Sequence, residues 1–308
     1  MASIVIVGSL NLDFIVQVAR LPQRGETLPG SRFVTLPGGK GANQACAVGR
    51  LAQPDTAAMI GCVGQDVYGQ QLLESLRACG VDNRYVLGAP EAATGVALIL
   101  VEAGGQNQIV VVPGANDCLR PADVTEALTA LGGSHLLLQL ETPLATVAAA
   151  AAHARSLGMS VILDPAPARE LPCELLSDVD ILTPNESEAL ALIGAAGDHI
   201  ALADAYDVAR ELLALGPRQV ILKLGAQGAI LADGERARHF PARPVEAKDT
   251  TAAGDCFNGA LATALAEGMT LDAAIAFANV AASIAITRAG AQASLPTRAE
   301  VEEQYRER

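Results

Sequence analysis

The sequence predicts an α/β fold: a doubly wound, mainly parallel sheet with helices on both faces, plus a small additional β-sheet. Three observations predict it. Short β-branched runs alternate with longer Ala- and Leu-rich stretches, most runs are apolar on both faces, and two hairpin-like segments interrupt the alternation. Strands covered by two helix layers are apolar on both faces because neither face meets water. Repeated strand-then-helix order is typical of parallel sheets.

The predicted elements alternate along most of the chain. The strand-like runs lie at residues 4–7, 59–63, 136–140, 161–163, 180–182 and 220–223. The helical patterns lie at residues 41–52, 69–79, 121–131, 143–157, 203–215, 254–267 and 271–288. A chain of 308 residues has room for one large domain or two modest ones. We expect a single domain over residues 1–308.

Two segments break this alternation. Runs at residues 14–18 and 32–36 flank the turn-rich stretch LPQRGETLPG, and runs at residues 95–102 and 108–112 flank the turn AGGQN. Strand-like runs on either side of a Gly-containing turn are typical of β-hairpins. We predict a small β subdomain from about residues 14–36 and 94–112. It is either a hinged lid over a site or a pair of ordinary edge hairpins.

Composition and charge argue against several classes of protein. The chain is 51% apolar and 18% charged, which argues against disorder. It carries 21 basic and 34 acidic residues, a net charge of −13, with no Lys/Arg cluster and only 3% aromatic residues. Nucleic acids and anionic membranes are therefore poor partners. The apolar stretches are shorter than the roughly 18–20 residues of a membrane span, and residues 1–8 lack the basic segment of a signal peptide. We expect a cytoplasmic protein.

The cysteines and histidines do not form a metal-binding pattern. The six cysteines include no C-x-x-C pair, and the four histidines lack an H-x-x-x-H spacing. A zinc site is therefore unsupported. Unclustered cysteines in a chain of this size fit a reducing compartment.

The stretch DTTAAGD, residues 249–255, precedes a predicted helix. Its small residues let the backbone approach a ligand, and the first helical turn has free N–H groups at the positive end of the helix dipole. Together these features make an anion hole. Asp255, in that turn, is either placed to take a proton from a hydroxyl that attacks phosphorus, or is simply a helix-start aspartate.

The stretch PGGKGANQ, residues 37–44, offers a second glycine-rich loop before a helix. Asn43 has both a donor and an acceptor, which suits sugar hydroxyls. The loop is not a P-loop, because Val34 stands where its first Gly would be and Gly41 stands where Ser or Thr would be. No G-x-G-x-x-G follows the first strand, which disfavours a nicotinamide dehydrogenase.

Polar residues also follow two predicted strands at their carboxyl ends, where open α/β sheets bind ligands. Asn11 and Asp13 are two apart, so they face the same side if the chain is extended. They either recognise a polyol or form a turn. Asn185 and Glu188 either hold magnesium-bound water and phosphate oxygens or cap a helix.

These motifs together resemble those of the ribokinase-like, phosphofructokinase-B-type family of carbohydrate kinases. GSLNLD, PGGKGANQA, GANDCLRP, LQLETP, LDPAPARELP, ILTPNESEA, DTTAAGDCFNGAL and TRAGAQASLP occur in the family's order and span nearly the whole chain. The resemblance implies ATP-dependent phosphorylation of D-ribose at its 5-hydroxyl, giving D-ribose 5-phosphate and ADP. The alternatives are a family kinase for deoxyribose, fructose or a nucleoside, or a sugar-binding regulator without catalysis.

The resemblance also implies roles for individual residues. It makes Asp255 the general base and Ala252, Ala253 and Gly254 the anion hole. It assigns to the sugar Asn11, Leu12, Asp13, Gly39, Lys40, Gly41, Ala42, Asn43, Glu141 and Asp255. It assigns to ATP Asn185, Glu188, Lys223, Leu224, Gly225, Ala226, Gln227, Gly228, Gly254 and Asn279, with Glu188 linked to Mg²⁺. It assigns to an activating K⁺ ion Asp249, Thr251, Ala285, Arg288, Gly290 and Ser294.

Three departures from the family's usual residues limit this transfer. Ala252 stands where the family usually has Gly, which is tolerable if its φ is negative. Lys223 stands where Thr is common, so its ammonium group either touches ATP phosphate or lies over the nucleotide. Relatives often have His at the position of Asn279, which leaves the contact of Asn279 with adenine open. The resemblance further implies a homodimer formed through the lid sheet, with Phe33 or Val96 as exposed apolar contacts.

Overall fold

Two β-sheets organise the chain, as a computed structural model shows for residues 3–102, 104, 106–234 and 236–306. Within those residues, one sheet has nine strands and the other has four. Residues 103 and 105, in the predicted AGGQN turn, lie outside the described residues. The predicted α/β class, with a large sheet and a separate small one, is confirmed.

The larger sheet is mainly parallel. The strands in chain order are β1 (Ile4–Val7), β2 (Asn11–Val18), β3 (Arg32–Gly38), β4 (Ala57–Gly64), β5 (Asp82–Ala89), β6 (Gly95–Glu102), β7 (Asn107–Val112), β8 (His135–Leu138), β9 (Ser160–Leu163), β10 (Ile181–Leu182), β11 (Gln219–Lys223), β12 (Ala229–Asp233) and β13 (Arg236–Phe240). The large sheet has the order β13-β12-β11-β10-β9-β8-β1-β4-β5, and only the pairs β11-β12 and β12-β13 in it are antiparallel. The small sheet has the order β3-β2-β6-β7.

Helices cover both faces of the large sheet. They are α1 (Lys40–Leu51), α2 (Val67–Ala78), α3 (Pro121–Leu131), α4 (Leu144–Ser156), α5 (Cys173–Ser177), α6 (Glu186–Leu192), α7 (Leu202–Ala214), α8 (Ala253–Ala266), α9 (Leu271–Ala285) and α10 (Arg298–Arg306). The side chains of β1 alternate between two cores: Ile4 and Ile6 pack with α1, α2, α8 and α9, and Val5 and Val7 with α3, α4 and α7. This double burial explains why the strand reads as a continuous apolar run.

The predicted large-sheet strands and the helices are all present, with ends within three residues of the prediction. The prediction missed β5, β12, β13, α5 and α10, and it anticipated α6 only as the helix that Asn185 and Glu188 would cap. The strands β12 and β13 run antiparallel on either side of an Asp233-Gly234 pair, which is itself a strong hairpin signal. Its neighbours, AILAD and RARHF, lack the regular apolar alternation that the prediction relied on.

The first hairpin of the small sheet begins earlier and ends later than predicted. Strand β2 starts at Asn11 rather than at residue 14, and β3 continues to Gly38. Asn11 pairs with Gly38 and Asp13 with Leu36. The GSLNLD and PGGKGANQ motifs therefore meet at this end of the small sheet. Val96 is half-buried, so its predicted role as an exposed contact is wrong, whereas Phe33 is 60% exposed.

Glycines bring the start of α1 against the segment that joins β1 to β2. Gly39 has a φ of +88°, and a Cβ there would lie 2.7 Å from the Asn11 nitrogen. A Cβ on Gly41 would lie 2.6 Å from the Gly8 carbonyl carbon. The N–H of Ala42 donates to the Ser9 carbonyl at 2.9 Å. Backbone packing alone therefore requires glycine at positions 39 and 41, whatever ligand lies nearby.

In the part of the chain that the structure describes, no helix combines the length and the apolar character that crossing a bilayer requires.

Candidate functional site

Asp255 is the centre of a buried polar cluster. It lies in the first turn of α8 and is 6% exposed. Its Oδ2 accepts a hydrogen bond from Asn43 Nδ2 at 3.0 Å, and its Oδ1 accepts one from Gln44 Nε2 at 3.1 Å. Burial raises the pKa of Asp255 to about 6, although Lys40 and these two amides oppose the rise. With a pKa of about 6, the Asp255 carboxyl is ionised in most molecules at pH 7.

Close packing of α1 on α8 brings the two amides to Asp255. A Cβ on Gly259 would lie only 2.5 Å from the Cβ of Ala47. Gly259 and Ala47 are each four residues beyond Asp255 and Asn43, one turn further along their helices. The small residues at this crossing let the helix axes approach closely, so short side chains span the gap one turn earlier.

The hydrogen bonds of Gln44 connect Asp255 to a buried ion pair. Gln44 Nε2 also donates to Asp164 Oδ2 at 2.9 Å, and its Oε1 accepts from Gln139 Nε2 at 2.6 Å. The other oxygen of Asp164 accepts from Lys223 Nζ at 2.9 Å. Lys223 Nζ lies 3.3 Å from where a Cβ on Gly254 would be, so this ammonium lies over the first turn of α8.

A second group of charged side chains lies on the small-sheet side of Asp255. Burial, then the nearby charges of Glu141 and Asp255, raise the pKa of Asp13 to about 7. Glu141 Oε2 accepts from Ser9 Oγ at 2.5 Å and from the Lys40 backbone N–H at 3.0 Å. Burial opposes the charge of Lys40, but Asp255, Glu141 and other carboxylates nearby hold its pKa above the ordinary value.

The remaining residues assigned to the sugar contribute less to this cluster. Asn11 is 3% exposed, and its Oδ1 accepts from Asn116 Nδ2 at 2.8 Å. Leu12 and Ala42 are buried in the hydrophobic core. Of the predicted sugar residues, Asp13, Lys40, Asn43 and Glu141 are thus the ones whose charges or hydrogen bonds link them to Asp255.

A cavity of about 790 Å³ opens on the other side of Asp255. The predicted residues that line it are Lys40, Asn185, Glu188, Lys223, Gly225, Ala226, Gly228, Ala252, Ala253, Gly254, Asp255 and Asn279. Leu224 and Gln227 are not among its lining residues: Leu224 is buried in the core, and the Gln227 carbonyl accepts from His239 Nε2. Asn279 Nδ2 donates to the Phe240 carbonyl at 3.1 Å.

Asn185 and Glu188 form a reciprocal cap at the start of α6. Asn185 Oδ1 accepts from the Glu188 N–H, and Glu188 Oε2 accepts from the Asn185 N–H, each at 2.8 Å. The capping reading of this motif is therefore correct, yet Glu188 also lines the cavity. Its burial raises its pKa, although Lys223 opposes the rise.

The condition under which Ala252 would be tolerated without strain, a negative φ, is not met. Ala252 has a φ of +58° and lies in the left-handed region at the N-cap of α8. The chain reverses here, because the Ala253 N–H donates to Thr250 O while Ala252 O accepts the first helical bond from Cys256 N–H. A residue with a Cβ in this conformation costs about 1 kcal/mol relative to a right-handed one.

Asp249 joins two of the loops to which the K⁺ ion is assigned. Its Oδ1 accepts from the Thr251 N–H at 2.9 Å and its Oδ2 from the Gly290 N–H at 2.8 Å. The N–H groups of residues 248 and 249 both donate to the Ile286 carbonyl at the end of α9. Ser294 is fully buried, and its hydroxyl donates to Ala291 O. Ala285 O accepts from the Arg288 N–H.

Three members of the cluster were missed by the sequence reasoning: Ser9, Gln44 and Asp164. Asp164 directly follows β9, so the rule that pointed to Asn11 and Asp13 after β1 also applies to it. Ser9 and Gln44 lie within the quoted motifs. Ser9 bonds to Glu141, 132 positions away, and Gln44 bonds to Asp255, 211 positions away. No local sequence pattern indicates contacts of this length.

Comparison with known proteins defines the class. The model of the pfkB family of carbohydrate kinases matches residues 1–298. The chain belongs to the pfkB family of carbohydrate kinases.

Individual relatives in this family are named by the sugar they phosphorylate. The ribokinase of Bacillus subtilis is 41% identical over 304 residues, which cover 98% of this chain and 99% of that protein. The deoxyribokinase of Salmonella typhi is 36% identical over 96% of this chain and 95% of its own length. The structure of Arabidopsis thaliana ribokinase complexed with ribose and ATP has a TM-score of 0.89 at 34% identity and covers 99% of both chains.

The raised pKa of Asp13 predicts a pH-dependent stability. The pKa is about 7 in the folded protein against 3.8 ordinarily, so the folded state binds this proton more tightly than the unfolded state. The contribution of Asp13 to the free energy of unfolding therefore falls as the pH rises from about 4 to 7. We expect ligand-free Asp13→Asn to melt at a higher temperature than wild type at pH 8, and at the same temperature at about pH 4. Thermal unfolding across pH measures this.

The matched control is Glu211→Gln, which removes an exposed carboxylate from α7. Its melting temperature should follow that of wild type at every pH. A constant difference between Asp13→Asn and wild type from pH 4 to pH 8 would contradict the assignment.

Proposed function

We propose that this kinase transfers the terminal phosphoryl group of ATP to the 5-hydroxyl of D-ribose, giving D-ribose 5-phosphate and ADP. The observation that carries the proposal is the position of Asp255, between a cavity of nucleotide size and the group formed by Asp13, Asn43 and Glu141. The similarity to ribokinases over nearly the whole chain supports ribose as the substrate.

Asp255 acts as the general base. Phosphoryl transfer depends on alignment and charge neutralisation more than on covalent chemistry. The 5-hydroxyl attacks the phosphorus while its proton passes to the carboxylate. The N–H groups of Ala252 and Gly254 stabilise the charge that develops on the transferred group, since they lie at the positive end of α8. The Ala253 N–H, assigned to the same anion hole, contributes once it turns from the Thr250 carbonyl to the phosphate.

The sugar is held by the polar side chains on the small-sheet side. Asp13 and Glu141 accept hydrogen bonds from hydroxyls, and Asn43 has a donor and an acceptor. The Lys40 ammonium group, buried among carboxylates, lies where it attracts the incoming phosphate. The small sheet acts as a lid that excludes water, which otherwise competes with the sugar for the phosphoryl group.

The cavity holds ATP, with Lys223 and Asn279 among its contacts. Lys223 balances phosphate charge at the first turn of α8. A divalent ion fits beside the Glu188 carboxylate, because Mg²⁺ prefers oxygen ligands and is usually held by one or two carboxylates together with substrate phosphates. When bound, Mg²⁺ neutralises charge on those phosphates. We place the enzyme in the cytoplasm, where its six free cysteines stay reduced.

A sugar panel tests the substrate. We expect ATP-dependent release of ADP with ribose, and a kcat/KM for 2-deoxyribose at least about 100-fold lower, because a site built to bond a hydroxyl leaves buried groups unpaired without it. The assay couples ADP release to NADH oxidation and includes fructose and a nucleoside. A preference for 2-deoxyribose would identify the alternative that the deoxyribokinase relatives suggest.

Asp255→Asn is the control that ties turnover to this site. We expect a turnover reduced by roughly 10²–10⁴, the range for loss of a general base, with ribose binding changed by no more than a few fold. Calorimetry measures the binding. Ribose binding without any ATP turnover in the wild type would instead favour a sugar-binding regulator.

The chain also offers a site for an activating K⁺ ion. The Asp249 backbone N–H donates to the Ile286 carbonyl at the carboxyl-terminal end of α9, whose partial negative charge favours a cation. Carbonyls of Thr251, Ala285, Arg288 and Gly290 and the Ser294 hydroxyl complete an oxygen-only set, which suits a monovalent ion. An ion here orders residues 249–254 without touching the substrate.

We expect a higher kcat in KCl than in NaCl at equal ionic strength. Asp249→Asn weakens the site by removing its charge, so the two salts should give similar, low rates in that variant. Steady-state kinetics in matched salts provides the measurement. Equal wild-type rates in both salts would rule out the ion site.

The small sheet is the proposed dimer contact. Phe33, Leu98 and Val110 are each about half exposed or more. The strand register places them on one face of the sheet, because Leu98 pairs with Val110 and Phe33 lies in the row of Val16 and Leu100. Contiguous apolar surface of this kind on a sheet is typical of interaction sites. We expect sedimentation velocity to give the mass of a dimer and Val110→Lys to shift it to a monomer. A wild-type monomer at micromolar concentration would contradict the contact.

A further inference from the structure

We infer that Gln44 is a positioning residue for Asp255: its side-chain amide fixes the orientation of the carboxylate that accepts the hydroxyl proton. The inference rests on the proposed function for the role of Asp255 as the base. Gln44 lies directly after Asn43 in the first turns of α1 and is 1% exposed.

The orientation of the Gln44 amide is fully determined by its neighbours. Its Nε2 lies 2.9 Å from Asp164 Oδ2 and 3.1 Å from Asp255 Oδ1. Ionised carboxylates only accept hydrogen bonds, so the NH₂ group must face both acids, and each of its two hydrogens has one acceptor. The Oε1 accepts from Gln139 Nε2 at 2.6 Å, which holds the amide from its other end.

This arrangement fixes the plane of the Asp255 carboxylate. Gln44 binds Oδ1 and Asn43 binds Oδ2, so neither oxygen rotates without losing a charge-assisted hydrogen bond. The lone pairs that remain on the two oxygens then point in set directions. Proton transfer requires such a pair within hydrogen-bond reach of the hydroxyl, and small misplacements lower rates strongly.

Gln44 also separates two acids of like charge. The charged and titratable groups that surround Asp255 are Lys40 from α1, Asp13 from β2, Asp164 after β9 and Cys256 from α8. Asp164 raises the pKa of Asp255, while the Gln44 hydrogen bond lowers it. A donor between the two acids serves both, whereas an acid in its place would repel them.

The test compares Gln44→Met and Gln44→Glu with wild type, and uses Gln70→Met on the exposed face of α2 as the matched control. We expect Gln44→Met to lower kcat at pH 7 by about 10- to 100-fold, with the KM values for ribose and ATP within about threefold. The acidic limb of its kcat profile should move up by about one pH unit, since a hydrogen bond to the charged form is lost. Gln44→Glu should lose more, and Gln70→Met nothing.

An equal loss at every pH, with the acidic limb unmoved, would overturn the inference and leave Gln44 a packing residue. If Gln44→Met does not fold, Gln44→Glu keeps the shape of the side chain and carries the same test. Melting temperatures of all variants identify losses due to unfolding.

A measurement without substrate separates this inference from the proposed function. The ¹³C-carboxyl signal of Asp255, identified by its absence in Asp255→Asn, is titrated in the ligand-free protein. An upward shift in Gln44→Met supports the contact even if wild type phosphorylates none of the sugars. An unshifted titration overturns it, whatever the kinase assay shows.

Discussion

The site depends on keeping one carboxylate charged inside the protein. A buried carboxylate is costly unless it is paired and hydrogen-bonded. Asp255 is stabilised by the Asn43 and Gln44 amides, by the positive charge of Lys40 and by the amino end of α8. These stabilising groups come from α1 and α8, so the packing of two helices determines the charge state of Asp255. A helix pair with larger residues at Ala47 and Gly259 would hold the amides out of reach.

Charge on the cavity side of Asp255 is balanced by a buried ion pair. Lys223 and Asp164 neutralise each other while Lys223 stays beside the first turn of α8. A buried ion pair of this type contributes little to stability, because desolvation offsets the attraction. In the proposed function, the pair places a positive charge where the phosphate oxygens of ATP would lie. The pair also reaches Asp255 through Gln44, so the two halves of the site share one hydrogen-bonded path.

Most of the fold could be predicted from the sequence, because burial of both faces leaves continuous apolar runs such as Ile4–Val7. Local signals also indicated the loop before α8 and the motif at Asn43. The contacts of Ser9 with Glu141 and of Gln44 with Asp164 and Asp255 could not be predicted, because each joins residues more than a hundred positions apart. The left-handed Ala252 was missed for a different reason: glycine is the residue that normally marks such a turn.

Gly8 and Gly41 face each other where β1 ends and α1 begins. A Cβ on either one would lie within 3 Å of the other's main chain. A larger residue at one of these positions therefore cannot be compensated by a smaller one at the other, because the added Cβ would clash with main-chain atoms, which every residue has. Any lineage that retains this sheet-to-helix junction must retain both glycines, and substitutions that tune the enzyme must fall on the side chains around them.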